Sequence, residues 1–343
     1  MLHAALVLVG LVGLAGPPAS EPQPWLTFEP PQETDRGKHV VLIAGDEEYR
    51  SEESLPQLAK ILAARRGLRT TVLFAIDPET HTIDPERNDT VPGIERLDDA
   101  DLLVLLVRFR NYPDAVMERV ARHVESGKPV IGLRTATHAF QLDEGSRFAR
   151  YDWRSTATGF EGGFGRAILG ETWIAHHGEH GAQGTRGVAA PGALEHPILR
   201  GVDCADVWDP ADVYAVRLPL VADATPLVLG QVLATMDRGA EPAAARDGVD
   251  PNDPMQPIAW VRERELDEGA TQRIFTATFG SAQAFTREGS RRLFLNACDW
   301  ALRDDDAIRA DSDVGLVGTY DPSPFGFGGA KRGVKPADLA AKD

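Results

Sequence analysis

The sequence predicts an α/β protein built on a doubly wound, mostly parallel sheet, and three observations carry that prediction. Residues 102–107 are apolar at every position, as expected of a strand covered on both faces. Residues 116, 120 and 124 place valines on one helical face just before the next apolar run, at 130–133. The pattern strand, helix, strand, strand, helix, strand between residues 38 and 133 then calls for right-handed crossovers onto one sheet.

The first strand is expected over residues 39–44, ended by Gly45 and followed by the charged turn Asp46-Glu47-Glu48-Tyr49-Arg50-Ser51. Ser54-Leu-Pro-Gln57 has the form of a capping box with Pro in the first turn, so the first helix is predicted to start there and to stop at Gly67. A second strand follows over residues 70–75, then a Pro- and Asp-rich loop over 76–95. The third strand, Leu102–Val107, ends in Arg108-Phe-Arg110-Asn-Tyr112, and a helix over 113–126 returns the chain to the fourth strand, Val130–Leu133. That strand breaks into Arg134, Thr135, Thr137 and His138, at the sheet edge where ligands of open α/β sheets bind.

Residues 159–192 hold ten glycines and read as long loops over a sheet edge. Regularity resumes with strand-like runs at 227–233, 258–261 and 273–279 that would complete the sheet. A closing helix carries Leu293, Phe294, Ala297, Cys298 and Ala301 on one face. The main domain is thus set at 38–303, preceded by a Pro-rich extended lead-in over 16–37 and followed by an irregular tail over 304–343 whose aromatics, Phe325 and Phe327, are expected to plug grooves.

Composition narrows the function classes. The net charge of −16 argues against nucleic acid and anionic membrane surfaces, which require stripes of Lys and Arg. Residues 2–15 are apolar, too short to span a bilayer, and end in Gly13-Leu14-Ala15; 1–15 reads as a signal peptide of an exported protein. Because no Lys or Arg precedes that run, an uncleaved anchor or a misassigned start is the competing reading. No membrane span is expected after cleavage, and oligomeric state is not legible. Cys204 and Cys298 lie far apart in sequence, and Cys298, on an apolar helical face, reads as a buried free thiol.

His176-His177-Gly-Glu179-His180 gathers three of the nine histidines. On a helix, His176, Glu179 and His180 could reach a divalent ion, but Gly178 and Gly181 argue for a loop and the zinc helix motif is absent, so no cofactor and no metal ligand is assigned. Trp153, Trp173 and Trp260 read as core or rim packing, with Trp173 also a candidate sugar platform.

The order of these elements, with Glu195-His-Pro-Ile198, Ala211-Asp-Val-Tyr214, Pro257-Ile-Ala-Trp260 and Arg273-Ile-Phe-Thr-Ala-Thr-Phe-Gly280, resembles the ThuA-like (trehalose-utilisation) family, in its exported planctomycete-type form. The resemblance implies a class I glutamine-amidotransferase-like, flavodoxin-related fold and chemistry on disaccharides through keto-sugar intermediates. The chain departs from the pattern in three places. No Cys stands at the turn after Val130–Leu133, which excludes amidotransferase chemistry; the family's Gly-Ile-His there is Gly132-Leu133-Arg134; and a late Gly-His is Gly280-Ser281.

With flavodoxin-like strand order, the loops after the first, third and fourth strands meet at one edge, setting Arg108, Arg110 and Arg134 opposite Asp46, Glu47 and Glu48. Two readings stay open there: a salt-bridge network that ties the loops, or an Arg clamp on a sugar with a carboxylate as acid/base. Arg134, Thr135, Glu47, Tyr49, Arg108, Arg110 and His176 are the binding candidates, and His177, His138 and Glu48 the proton-transfer candidates. The resemblance adds His177 as a family loop histidine, Asp212 in place of a family Glu as the group orienting a histidine, and Tyr214. The expected partner is a small molecule, most simply a carbohydrate or keto derivative; a non-catalytic carbohydrate-binding module on the same fold is the rival reading.

Overall fold

In the parallel half of the sheet, successive side chains of each strand enter opposite cores. Val40, Leu42 and Ala44 of β2 (His39–Gly45) pack with α1 (Ser51–Arg66) and α3 (Glu288–Ala301), whereas Val41 and Ile43 pack with α2 (Asp114–Glu125) on the other face. β4 (Leu102–Val107) divides its residues the same way, which is why both strands are continuous apolar runs. The computed structural model describes residues 23–266 and 269–340. The predicted signal peptide and the first prolines of the lead-in lie outside the described residues.

Among the described residues the main sheet has ten strands. Five run parallel, in the order β3 (Arg69–Phe74), β2, β4, β5 (Val130–Leu133) and β12 (Thr271–Ala277). Beyond β12 the sheet continues antiparallel through β11 (Gln256–Glu265), β10 (Ala224–Val232), β7 (Thr185–Ala189) and β8 (Trp208–Asp209). On the opposite edge β1 (Trp25–Phe28) pairs antiparallel with β3.

The sheet is therefore mixed rather than mostly parallel. The reason is local: among the described residues no α-helix separates β10, β11 and β12, and a parallel return needs a crossover of a dozen or more residues, usually helical. The lead-in also departs from expectation, since Trp-Leu-Thr-Phe between the prolines supplies an edge strand, a place that tolerates neighbouring prolines. α1 begins at Ser51, three residues before the predicted start, because the turn before it is organised by Asp46 and not by Ser54. Asp46 accepts the backbone N–H groups of Glu48 (2.8 Å) and Tyr49 (2.5 Å), and Arg50 closes the turn at φ 60°. At the far end Gly67 takes φ 64° and closes the helix as the sequence indicates.

The glycine-rich stretch is more regular than expected. It contains a π-helical turn at Gly165–Leu169, β7, and β6 (Trp173–His176), which pairs antiparallel with β9 (Tyr214–Val216) in a separate two-stranded ribbon. Cys204 and Cys298 are both free thiols, and burial raises both. No helix among the described residues is long and apolar enough to cross a membrane.

Candidate functional site

The loops after β2, β4 and β5 converge at the carboxyl edge of the parallel strands, and their charges are largely spent on one another. Glu47 binds Arg110 through Oε2 at 2.6 Å and Arg108 through Oε1. Arg110 is buried and also donates to the carbonyls of Pro85 (3.0 Å), Arg87 (2.8 Å) and Arg108 (2.6 Å), so it holds loops in place. The Thr135 hydroxyl donates to Asp46 Oδ2 at 2.5 Å, again fully buried.

Arg134, predicted to clamp a ligand, is 0% exposed and tied to the protein. Its backbone takes φ 44°, a left-handed conformation uncommon outside glycine, and its guanidinium lies inside the domain. One nitrogen donates to the carbonyls of Asp212 and Thr278, each at 2.7 Å; the other donates to the Tyr49 hydroxyl (3.1 Å) and to Asp212 Oδ1 (3.3 Å). The rings of Tyr214 (3.7 Å) and Tyr49 (4.4 Å) cover it. A fork committed to four protein acceptors is a tie between the sheet and the β6–β9 ribbon. Tyr49 and Tyr214 are buried phenols joined by a 3.1 Å hydrogen bond, and burial keeps both protonated.

His138 lies under the same layer, among Phe109, Trp173 and Tyr214 at ring separations of 4.9, 5.0 and 5.9 Å. Burial first, then Arg108 and Arg134, hold its pKa well below the ordinary value, so it stays neutral. That environment fits packing rather than the proton transfer expected of it.

The open side of the site is built by the ribbon. His176 ends β6 opposite Tyr214 of β9, and Asp212 sits two residues before that partner. With its proton on Nδ1, His176 donates to Asp212 Oδ2 at 2.8 Å, leaving Nε2 unclaimed on a side chain that is 38% exposed. The chain then doubles back at Gly178, where a Cβ would meet the Asp212 Cβ at 3.2 Å. That turn returns His180 to the same carboxylate, with Nδ1 3.0 Å from Asp212 Oδ1 and Nε2 3.0 Å from Glu48 Oε1. Asp212 is fully buried and anchored by Arg134, so a fixed anion orients two imidazoles. Ligand atoms of His176, His180 and Asp212 all lie within 4.8 Å of one another, a set able to hold a metal ion.

His177, the leading proton-transfer candidate from sequence, is not part of this group. Its Nε2 donates to the Pro251 carbonyl at 2.7 Å. Adjacent residues of an extended segment point to opposite sides, so once His176 faces Asp212 its neighbour must turn away. His180 is the residue missing from the predicted site. The spacing of His176 and His180 was the available signal, and a strand followed by a glycine turn achieves the convergence that the spacing suggests only for a helix.

Glu48 is 3% exposed; burial first, and then Asp46, raise its pKa, with Arg108 Nε no nearer than 4.0 Å. The tail roofs this side. Phe325 stacks on Tyr49 at 5.5 Å, while Gly326 donates to the Glu48 carbonyl and accepts from Arg50. Phe327, expected in a groove, is instead 61% exposed and covers the Arg108 guanidinium at 4.9 Å. A polar cleft of about 420 Å³ opens on the Glu47 side, lined by Glu47, Arg110, Asn111, Gln141 and Asp143 with Phe109 as its aromatic wall; His176, His180 and Asp212 do not line it.

Ser281 takes the place of the late histidine that the family resemblance anticipates, and it is bound into the scaffold. Its hydroxyl donates to Asp209 Oδ1 at 2.6 Å, and the Gly280 and Ser281 amides donate to Oδ2.

No family model and no curated protein matches the chain. Among solved structures it is similar to a protein from Bacteroides uniformis ATCC 8492 described as ThuA-like, at 14% identity and a TM-score of 0.49, over 86% of this chain and 99% of that one. It is also similar to a protein from Parabacteroides merdae ATCC 43184 described in the same words, at 15% identity and a TM-score of 0.45, over 84% and 95% of the two chains.

Proposed function

We propose that this chain is an exported ThuA-like protein with flavodoxin-related winding that performs acid/base chemistry on a carbohydrate or its keto derivative, with His176 as the proton-transfer group. The observation that carries the reading is the 2.8 Å contact between His176 Nδ1 and a fully buried Asp212. An imidazole held by a carboxylate at one nitrogen presents the other as a base, and the carboxylate stabilises the imidazolium formed when it takes a proton.

In this reading His176 Nε2 removes a proton from a hydroxyl, or from the carbon beside a keto group, and returns it later in the cycle. Asp212 holds the tautomer and Arg134 holds Asp212; neither needs to touch substrate. The polar cleft beside Glu47 has the amide and carboxylate groups that sugar hydroxyls require, and Phe109 offers a ring edge. The lack of a Cys at the turn after β5 excludes a covalent thioester route.

The test is incubation of the full chain with 3-keto-glycosides, following loss of substrate and, in D₂O, exchange of the proton beside the keto group. Exchange or turnover in wild type is the expected result. Saturable binding with neither, over long incubation, would establish a ligand-binding module instead. Export is tested separately by N-terminal sequencing of the natively expressed protein: a start near residue 16 supports it, and an intact Met1 on cytoplasmic protein sinks it.

A further inference from the structure

We propose that the cavity between α1 and the carboxyl-terminal tail is a binding site for a small primary aliphatic amine, held as its ammonium ion by Glu52 and Glu53. The cavity shares no residue with the His176, His180 and Asp212 group, and the proposal does not rest on the acid/base reading of that group.

The cavity holds about 270 Å³, room for a ligand of several carbon atoms. Pro56 of α1, Ile83 of the loop after β3, and Val334 and Leu339 of the tail wall it, so the body of an occupant meets aliphatic surface. Charge sets the sign of the rest. Glu52, Glu53, Asp321 and Asp338 line the cavity with Lys60 and Lys331, an excess of carboxylates, and Lys331 is already 3.3 Å from Glu53 Oε2. An anion is therefore disfavoured. A metal ion is disfavoured on geometry, because it needs several ligand atoms gathered at one point, and among the described residues these carboxylates form no such group.

The observation that points to an amine is the state of the helix floor. Glu52 is 7% exposed, and its two oxygens are shielded from water and accept from no side chain. Glu53, the next residue, keeps Oε1 in the same condition, while its Oε2 accepts from the Ser323 amide at 2.8 Å and from Lys331. Buried acceptors without donors are costly, and adjacent residues here carry three. A primary ammonium group brings three donors on one centre, and hydrogen bonds from it to carboxylates are charge-assisted. The terminal torsion of a Glu side chain is broad, so a turn of the Glu52 carboxyl presents an oxygen to the cavity that it lines. Burial pushes the Glu52 pKa up to about 8, so uptake of an ammonium ion below that pH displaces a proton from the carboxyl.

The experiment titrates the full chain with n-butylamine by calorimetry at about pH 6.5 and constant ionic strength, in two buffers of different ionisation enthalpy that report proton release. n-Butanol and butyrate offer the same aliphatic body with no charge and with the opposite charge. The expected result is saturable binding of one amine per chain with release approaching one proton, binding of butanol weaker by about 10-fold or more, and no binding of butyrate. Glu52→Gln keeps the shape of the side chain and removes its charge, so it should lower amine affinity by about 10-fold or more and abolish the proton release. Leu339→Trp fills the cavity from the tail side and should block the amine with Glu52 intact, which keeps the test decisive if Glu52→Gln fails to fold. Equal binding of butylamine and butanol would show an apolar hollow only and overturns the proposal. Absence of saturable amine binding overturns it as well, as do affinity and proton release unchanged in Glu52→Gln.

Discussion

Two sets of charged side chains meet at this sheet edge, and they are built in opposite ways. On the parallel side, Glu47, Arg108, Arg110 and Arg134 are bound to protein partners, and Arg110 and Arg134 are sealed from water. On the ribbon side, His176 and His180 share one buried carboxylate and remain 38% and 35% exposed. The first arrangement spends most of its hydrogen-bonding capacity on holding loops together, whereas the second leaves His176 Nε2 unclaimed on a partly exposed side chain. Clustered charge therefore does not locate a site; unclaimed valence on a fixed group does.

Arg134 is where the two builds differ most in consequence. Arg134→Met removes the cation from a buried pair and strands Asp212 together with the carbonyls of Asp212 and Thr278. Breaking a buried pair costs about 3–5 kcal/mol, so urea unfolding should show the midpoint falling by that equivalent. A loss under about 1 kcal/mol would mean that Arg134 is not the tie described here.

Glu52, near the start of α1, is a buried carboxyl outside both sets, with no side-chain partner at either oxygen. Burial pushes its pKa up to about 8 from an ordinary 4.5. The folded state thus holds a proton that the unfolded chain releases. Stability from this group is full below about pH 4.5, declines as pH rises towards about 8, and is level beyond it. Glu52→Gln, a neutral isostere, should remove that decline. The wild-type minus variant stability should drop by roughly 2–4 kcal/mol between pH 5 and pH 9, measured by thermal melts across pH. A difference that is flat with pH would show Glu52 to be solvated.

Much of the fold was legible because it is locally encoded. β4 and β5 fall at the predicted residues, and α2 and the Gly67 stop follow from periodicity and the left-handed cap. The convergence of the loops after β2, β4 and β5 follows from strand order alone. What sequence could not supply depends on pairing between distant segments. β6 is four residues long and mostly exposed, without the apolar alternation that marks a strand, so the direction of His176 and His177 became visible only through its pairing with β9. Arg134 stands in a polar turn in the sequence, yet its guanidinium is buried by Tyr49, Tyr214 and Asp212, residues from two distant segments. Ser281 likewise reads as a lost histidine until Asp209 is seen to accept from it.

The most direct test pairs His176→Gln with Arg134→Lys and reads each for stability and for 3-keto-glycoside turnover. His176 is partly exposed and makes a single side-chain hydrogen bond, so His176→Gln should shift stability by no more than about 1 kcal/mol. It should still lower turnover by about 10²-fold or more, as loss of a general base does. Arg134→Lys should lower the melting temperature, since an ammonium cannot reproduce the fork, and reduce turnover of the remaining folded protein less than His176→Gln does, through the loosened Asp212. The opposite pattern, with His176→Gln fully active and Arg134→Lys stable but unable to bind substrate, would contradict the account and return the site to the arginine.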